Sequence, residues 1–202
     1  PNNCAITCVL TIKLDTTTIY TTPVYLLVGS GTVTLNDNAE AGLGNWTVSA
    51  GWAWNTAQFH SPTHSFGYSP YPANANGSLT LAIPLNLTLT PVCLLSFWQR
   101  YDLESGYDFG NVEVSSDNGT SWQSVAAFTG TNLTWTQQTF DITNFANGSS
   151  QVKVRFRLSS DPSLQNTGWW VDDVTITNYC GSLVGISGND PVLPDVFSLG
   201  QN

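Results

Sequence analysis

The stretch VKVRFRL at residues 152–158 decides the fold class, because apolar and basic residues alternate along it with the two-residue period of a half-buried strand. One face of that strand enters a core, and the other carries Lys153, Arg155 and Arg157, three of the five basic residues in the chain. Its neighbours are therefore expected to be acidic or polar. Val112 and Val114 flank Glu113 in the same alternation. That second strand runs into SSDNGTSW at residues 115–122, where Asp117, Asn118 and Gly119 predict a tight hairpin. Further β-branched and aromatic runs at residues 79–83, 93–101, 124–128, 135–141 and 169–179 are bounded by Gly, Asn, Pro and Ser, and helical periodicity is hard to find. The expectation is an all-β, two-sheet antiparallel jelly-roll sandwich.

Composition fits one large domain with extensions. Of 202 residues 41% are hydrophobic and 12% aromatic, enough for a full core, while only 9% are charged. A formal charge of −9 repels phosphate backbones and excludes nucleic acid as a partner. No run approaches the roughly 20 apolar residues of a membrane span. A chain that opens on Pro1 and holds no methionine is expected to be a piece of a longer precursor. Cys4, Cys8, Cys93 and Cys180 in a Thr-, Ser- and Asn-rich background predict a secreted, extracellular or cell-surface setting. Six sequons, at Asn45, Asn76, Asn86, Asn118, Asn132 and Asn147, agree with that compartment and are candidate glycosylation sites.

The flanks differ from the middle. Residues 1–35 read as an N-terminal segment of extended strands with only Lys13 and Asp15 charged, and their backbone groups need a sheet edge to pair with. Residues 181–202 carry Gly and Pro punctuation without a period, which predicts an extended tail or linker.

Residues 36–180 resemble the MAM-like jelly-roll domains found beside secreted bacterial peptidases of the immune-inhibitor metalloprotease type and in bacterial surface proteins. The markers are Asn38-Ala39-Glu40, Trp46, Trp52, HSPTHSFGYSP at 60–70, LSFWQRYDLESGYDFGNVEVSSDNGTSW at 95–122, the 152–161 strand and GWWVDDVTI at 168–176. The 115–122 turn also resembles the Asp-box hairpin of secreted β proteins. VFSLGQN at 196–202 is similar to the approach to a type nine secretion sorting domain.

In the last strand a strict period of two places Asp172 with Trp170, Val174 and Ile176, and Asp173 with Val171 and Thr175. A carboxylate among apolar residues needs a counter-charge or hydrogen bonds. The resemblance implies structural calcium held by Glu40 and Asp172, with Asp173 beside them and carbonyls of the 61–65 loop completing the oxygen shell. The alternative is that Asp172 or Asp173 pairs with Arg100 or caps backbone amides. The resemblance also implies that the strands ending at Cys93 and Cys180 lie side by side and allow a disulfide. Cys4 and Cys8 then pair only through a turn, or one of them links elsewhere.

No catalytic constellation is recognisable. HExxH, GxSxG and phosphate-cradling loops are absent, Pro62 separates His60 from His64, and Asp102, Glu104 and Asp108 read as turn or cation residues. Trp52, Trp54, Tyr68 and Tyr71 are candidates for a sugar-stacking platform. The reading is a non-catalytic secreted module that assembles with copies of itself into a filament or matrix, residues 1–35 adding a strand to a neighbour's sheet. The alternatives are a calcium-stabilised accessory domain of a secreted peptidase or a carbohydrate-binding adhesin.

Overall fold

A computed structural model describes residues 5–14, 17–27, 31–88, 90, 92–146 and 148–179. The elements are β1 (Ala5–Leu14), β2 (Thr17–Leu27), β3 (Thr32–Asp37), β4 (Trp46–Val48), β5 (Trp52–Asn55), β6 (Ser65–Tyr68), β7 (Asn76–Leu81), β8 (Cys93–Asp102), β9 (Phe109–Ser115), β10 (Gln123–Phe128), β11 (Thr131–Asp141), one helical turn α1 (Thr143–Ala146), β12 (Lys153–Ser159) and β13 (Gly168–Asn178). They form a two-sheet antiparallel jelly roll. One sheet has the order β10-β9-β12-β7-β4 and the other β11-β8-β13-β6-β5, with β3 beside the second half of β13.

The alternating strand read from sequence is central to the first sheet. β12 pairs with both β9 and β7, sending Val154, Phe156 and Leu158 into the core and the basic residues outward. Phe156 meets Trp46, Phe97 and Trp169 at centroid distances of 6.0, 4.9 and 5.9 Å, so a single side chain ties the two sheets together. Trp169 packs so close to β9 that a Cβ on Gly110 would lie 2.9 Å from its ring, which requires glycine there. The β9–β10 hairpin forms as its sequence demands. Asn118 and Gly119 take positive φ of 59° and 90°, and Asp117 accepts hydrogen bonds from Ser115 Oγ, Ser121 N and Ser121 Oγ. Those bonds hold the Asp117 carboxyl down at about 2.

β13 departs from strict alternation. Asp172 faces Trp98 on β8, but Thr175 faces Ser96, so three steps on β13 match two on β8 and one residue is extra. Asp173 takes the strain, with φ of 47°. Trp169 and Val171 enter the core before this bulge, and Val174 and Ile176 enter it afterwards. The expected grouping of Trp170 and Asp172 with Val174 and Ile176 is therefore corrected: the bulge switches faces between them, leaving Trp170 and Asp172 on the outer side of the sheet.

At the N-terminus β1 and β2 pair with each other from Ala5 opposite Leu27 to Leu14 opposite Thr17, as a two-stranded sheet of their own. The run beginning at Thr32, expected within the extension, is instead a sandwich strand: β3 pairs with β13 of its own chain because Leu35 and Asp37 are buried there. β13 runs antiparallel to β8 with Asn178 opposite Cys93, the adjacency that the resemblance implies. Cys4, Cys180, Asn147 and the tail with its sorting-domain resemblance lie outside the described residues.

The outward strand faces meet the expectation of acidic or polar neighbours. Glu113 on β9 accepts Arg155 Nε at 2.6 Å and both Arg157 Nε and Nη2 at 3.0 Å. Burial raises the Glu113 pKa, but these hydrogen bonds and the two positive charges more than offset it and leave the group below its ordinary 4.5. A depressed folded-state value means that the contribution is complete above the unfolded pKa and is lost as pH falls through the folded one. Glu113→Ala should therefore lower stability by about 2–3 kcal/mol at pH 7, because two guanidinium groups lose their carboxylate. Denaturant melts at pH 7 and pH 3 check this, the difference between the two proteins shrinking at the lower pH.

Candidate functional site

The outer face of the β8–β13–β6 sheet is covered by the loop between β5 and β6, and the acidic residues singled out in the sequence clamp that loop from two sides. Asp172 Oδ2 accepts the amides of His60 and Ser61 at 2.7 and 3.1 Å, while Oδ1 accepts its neighbour's amide, Asp173 N, at 2.8 Å. Asp173 uses Oδ2 for His60 Nδ1 at 2.6 Å and Oδ1 for Ser61 Oγ at 2.9 Å. Glu40, just after β3, holds the other end. Its Oε1 accepts the amides of Thr63 and His64 at 2.6 and 2.8 Å, and its Oε2 contacts Thr63 Oγ1 and His64 Nδ1. Glu40, Asp172 and Asp173 thus converge on one five-residue stretch, joined through the loop.

Electrostatics separate the two ends. Burial pushes Asp172 up to about 6, with the Asp173 charge adding to the rise and the His60, Asp173 and Ser61 amides opposing it. Among the described residues no Lys, Arg or His side chain bonds Asp172. Arg100, one expected partner, turns instead to Gln58 Oε1 and lies 5.6 Å from the Trp170 ring centroid. Desolvation opposes the shift at Glu40, but the His64 and Thr63 hydrogen bonds hold its carboxyl below the usual range. The fit to a hard cation is therefore uneven. Asp172 is a buried anion to which no cationic side chain bonds among the described residues, which suits the role, but its oxygens and those of Glu40 already accept backbone amides or a hydroxyl.

Loop and sheet together present aromatic rings. His60 stacks on Trp98 at 3.7 Å and meets Trp135 of β11 edge-on at 6.1 Å; His64 stacks on Trp54 at 3.9 Å. Trp54 is 41% exposed and Phe59, in the same loop, 40%. The sugar platform expected from sequence is corrected here. Trp52, Tyr68 and Tyr71 are buried, Trp52 against Trp169 and Tyr71 donating its hydroxyl to Asp108 Oδ2 at 2.6 Å, so only Trp54 of that set reaches solvent. Burial and the Asp108 carboxylate raise Tyr71 to about 12. Trp98, Trp135 and Phe59 were not singled out as ligand residues. The signal for Trp98 lies in the alternation of β8, which puts it on the face opposite Phe97.

Elsewhere, Glu104, Asp108 and Asp161 bring their carboxylates within 4.8 Å of one another at the far end of the sandwich. Asp108 is occupied by Tyr71 and the Asp161 amide, and Ser163 Oγ donates to Glu104 and Asp161. Of the sequon asparagines, Asn45, Asn76, Asn86 and Asn118 are exposed, and Asn132 is half-buried with its amide donating to Thr136.

No protein-family model matches the chain. Bacillopeptidase F of Bacillus subtilis (strain 168) is 26% identical over 149 residues, which is 69% of this chain and 10% of that protein. The chain thus spans about a tenth of the curated relative. Among solved structures, the CBM22-1 xylan-binding domain of Paenibacillus barcinonensis Xyn10C superposes with a TM-score of 0.53 at 16% identity, over 77% of this chain and 99% of that one. The K3 cleaved adhesin domain of Lys-gingipain from Porphyromonas gingivalis w83 gives 0.51 at 19%, over 73% and 99%. A CBM61 module in complex with beta-1,4-galactotriose gives 0.50 at 15%, over 70% and 94%. At these identities the likeness establishes the jelly-roll fold.

The clamp makes a local prediction. Glu40→Ala should speed amide hydrogen exchange at Thr63 and His64, and Asp172→Ala at His60 and Ser61, by about tenfold or more, because each substitution removes the acceptor of two amides. Exchange at Val154 and Phe156 in the core should move far less. Equal acceleration at both places would show global destabilisation instead.

Proposed function

We propose that the chain is a non-catalytic, carbohydrate-binding accessory domain of a secreted peptidase. The observation that carries this reading is the ring surface on the β8–β11 face and its loop: Trp98, Trp135, Trp54 and Phe59, with His60 and His64 stacked among them. The exposed rings of Trp54 and Phe59, with the imidazoles that lie over Trp98 and Trp54, offer apolar surface to sugar C–H groups, and Gln58, Gln137 and Arg100 supply donors and acceptors. The similarity to part of bacillopeptidase F supports the peptidase context and, with it, an extracellular location. Likeness to carbohydrate-binding and adhesin domains supports the role of the fold, and these comparisons favour the accessory and glycan-binding readings over self-assembly.

Within this reading calcium binds at Asp172, where it supplies the missing counter-charge and fixes the loop that carries His60. Asp172 and loop carbonyls hold the ion, and Glu40 keeps the distal end of the loop in place.

Titration of the full chain with neutral β-linked oligosaccharides, followed by tryptophan fluorescence and calorimetry, tests the function. Trp98→Ala and Trp135→Ala should each weaken binding about tenfold, equivalent to about 1.4 kcal/mol. Absence of binding to every neutral glycan assayed overturns the proposal. For the ion, calcium at a hundred times its dissociation constant should stabilise the fold by about 2.7 kcal/mol, an effect that Asp172→Asn should abolish. An unchanged melt after chelation rejects it.

A further inference from the structure

The opposite sheet carries a second surface of different chemistry. Lys153, Arg155 and Arg157 stand on the outward side of β12, at successive same-face positions about 7 Å apart. The chain has only five basic residues and a formal charge of −9, yet it places three of those five in one row. Pairing with Glu113 does not exhaust them. Against the three cations stand Glu113 and, in the adjacent turn, Asp117, whose hydrogen bonds keep it ionised, so a surplus of about one positive charge remains on this face. Arg155 and Arg157 spend Nε, and Arg157 also Nη2, on Glu113. Their side chains remain 21% and 26% exposed. Arg155 is fixed in place above Trp122, with its Cζ 4.1 Å from the ring centroid. A cation held both by a carboxylate and by a ring face loses little side-chain entropy on binding an anion.

We propose that this face binds a linear oligosaccharide of uronic acids laid along β12. Three cations in line, spanning about 13 Å from Lys153 to Arg157, match an oligomer with repeated negative charges better than a single small anion. The formal charge of −9 opposes every long polyanion alike, so the fitting ligand is a short oligomer that meets the row with its carboxylates and extends little beyond it. Guanidinium groups match carboxylates in geometry, and Asn76, which accepts Arg157 Nη1 at 3.5 Å, adds a neutral polar group at the end of the row. This site is independent of the aromatic face on the other sheet and does not rest on its reading.

The test is calorimetric titration of the full chain with hexagalacturonate, its fully methyl-esterified form and a short inorganic polyphosphate at about 50 mM salt. The free acid should bind with a dissociation constant of about 1 mM or tighter, and the uncharged ester about tenfold or more weaker. Raising salt to about 200 mM should cost about tenfold, as expected for roughly two ion contacts. Lys153→Gln touches no buried acid and should weaken binding several-fold with an unchanged melting temperature. Arg157→Gln leaves Glu113 paired with Arg155, lowers the charge of the row by one and should weaken binding likewise. No binding of the acid, equal binding of acid and ester, tighter binding of polyphosphate, or full affinity in both variants overturns the proposal.

Discussion

One extra residue in β13 sets the geometry on which the rest depends. Because the side chains of a strand alternate with a period of two, inserting Asp173 exchanges the two faces for everything that follows. Trp169 and Val171 can then share a core with Val174 and Ile176, while Trp170 and Asp172 stand outside it. Asp172 is nevertheless fully buried, because the loop between β5 and β6 folds over it. Loop and carboxylate depend on each other: the loop amides need acceptors, and the carboxylate needs donors once water is excluded.

That mutual dependence explains why a long irregular segment can cover a sheet. Residues 56–64 contain little regular structure, so their backbone groups must be satisfied by side chains. Glu40 and Asp172 each take two amides, and the histidines between them lie flat on Trp54 and Trp98. A fixed loop is what turns half-buried indoles into a surface with a defined shape, and such a surface can recognise a rigid ligand at low entropic cost.

The two outer faces differ for reasons already visible in strand composition. On the β8 side the outward residues are Ser96, Trp98 and Arg100, a mixture of ring and polar groups. On the β12 side they are three cations, two of them bound to Glu113, with Trp122 beneath Arg155. The core between them is largely apolar and aromatic, and two of its polar side chains pair with indoles: Gln99 Oε1 accepts Trp169 Nε1 and Asp37 Oδ2 accepts Trp46 Nε1, both at 2.9 Å. A sandwich whose stability lies in its interior leaves both exteriors free to carry separate chemistry.

The alternation in residues 152–158 and 112–114 and the Asp-Asn-Gly turn between β9 and β10 were sufficient for the sandwich, its hairpin and the outward row of cations, because period and turn chemistry are local properties. The acidic residues at 40, 172 and 173 could also be picked out from the chain. What those residues do was decided only in three dimensions. A bulge has no reliable signature in a strand as uniform as GWWVDDVTI, so the side on which Asp172 lies could not be read from the pattern. The aromatic residues separated in the same way. Trp52, Tyr68 and Tyr71 resemble Trp54 in composition and neighbourhood, yet packing against Trp169 and Asp108 buries them, while the clamped loop lays His64 on Trp54 and His60 against Trp98 and Trp135. Burial is a property of what lies opposite a residue, and in a sandwich that partner comes from strands far away in sequence.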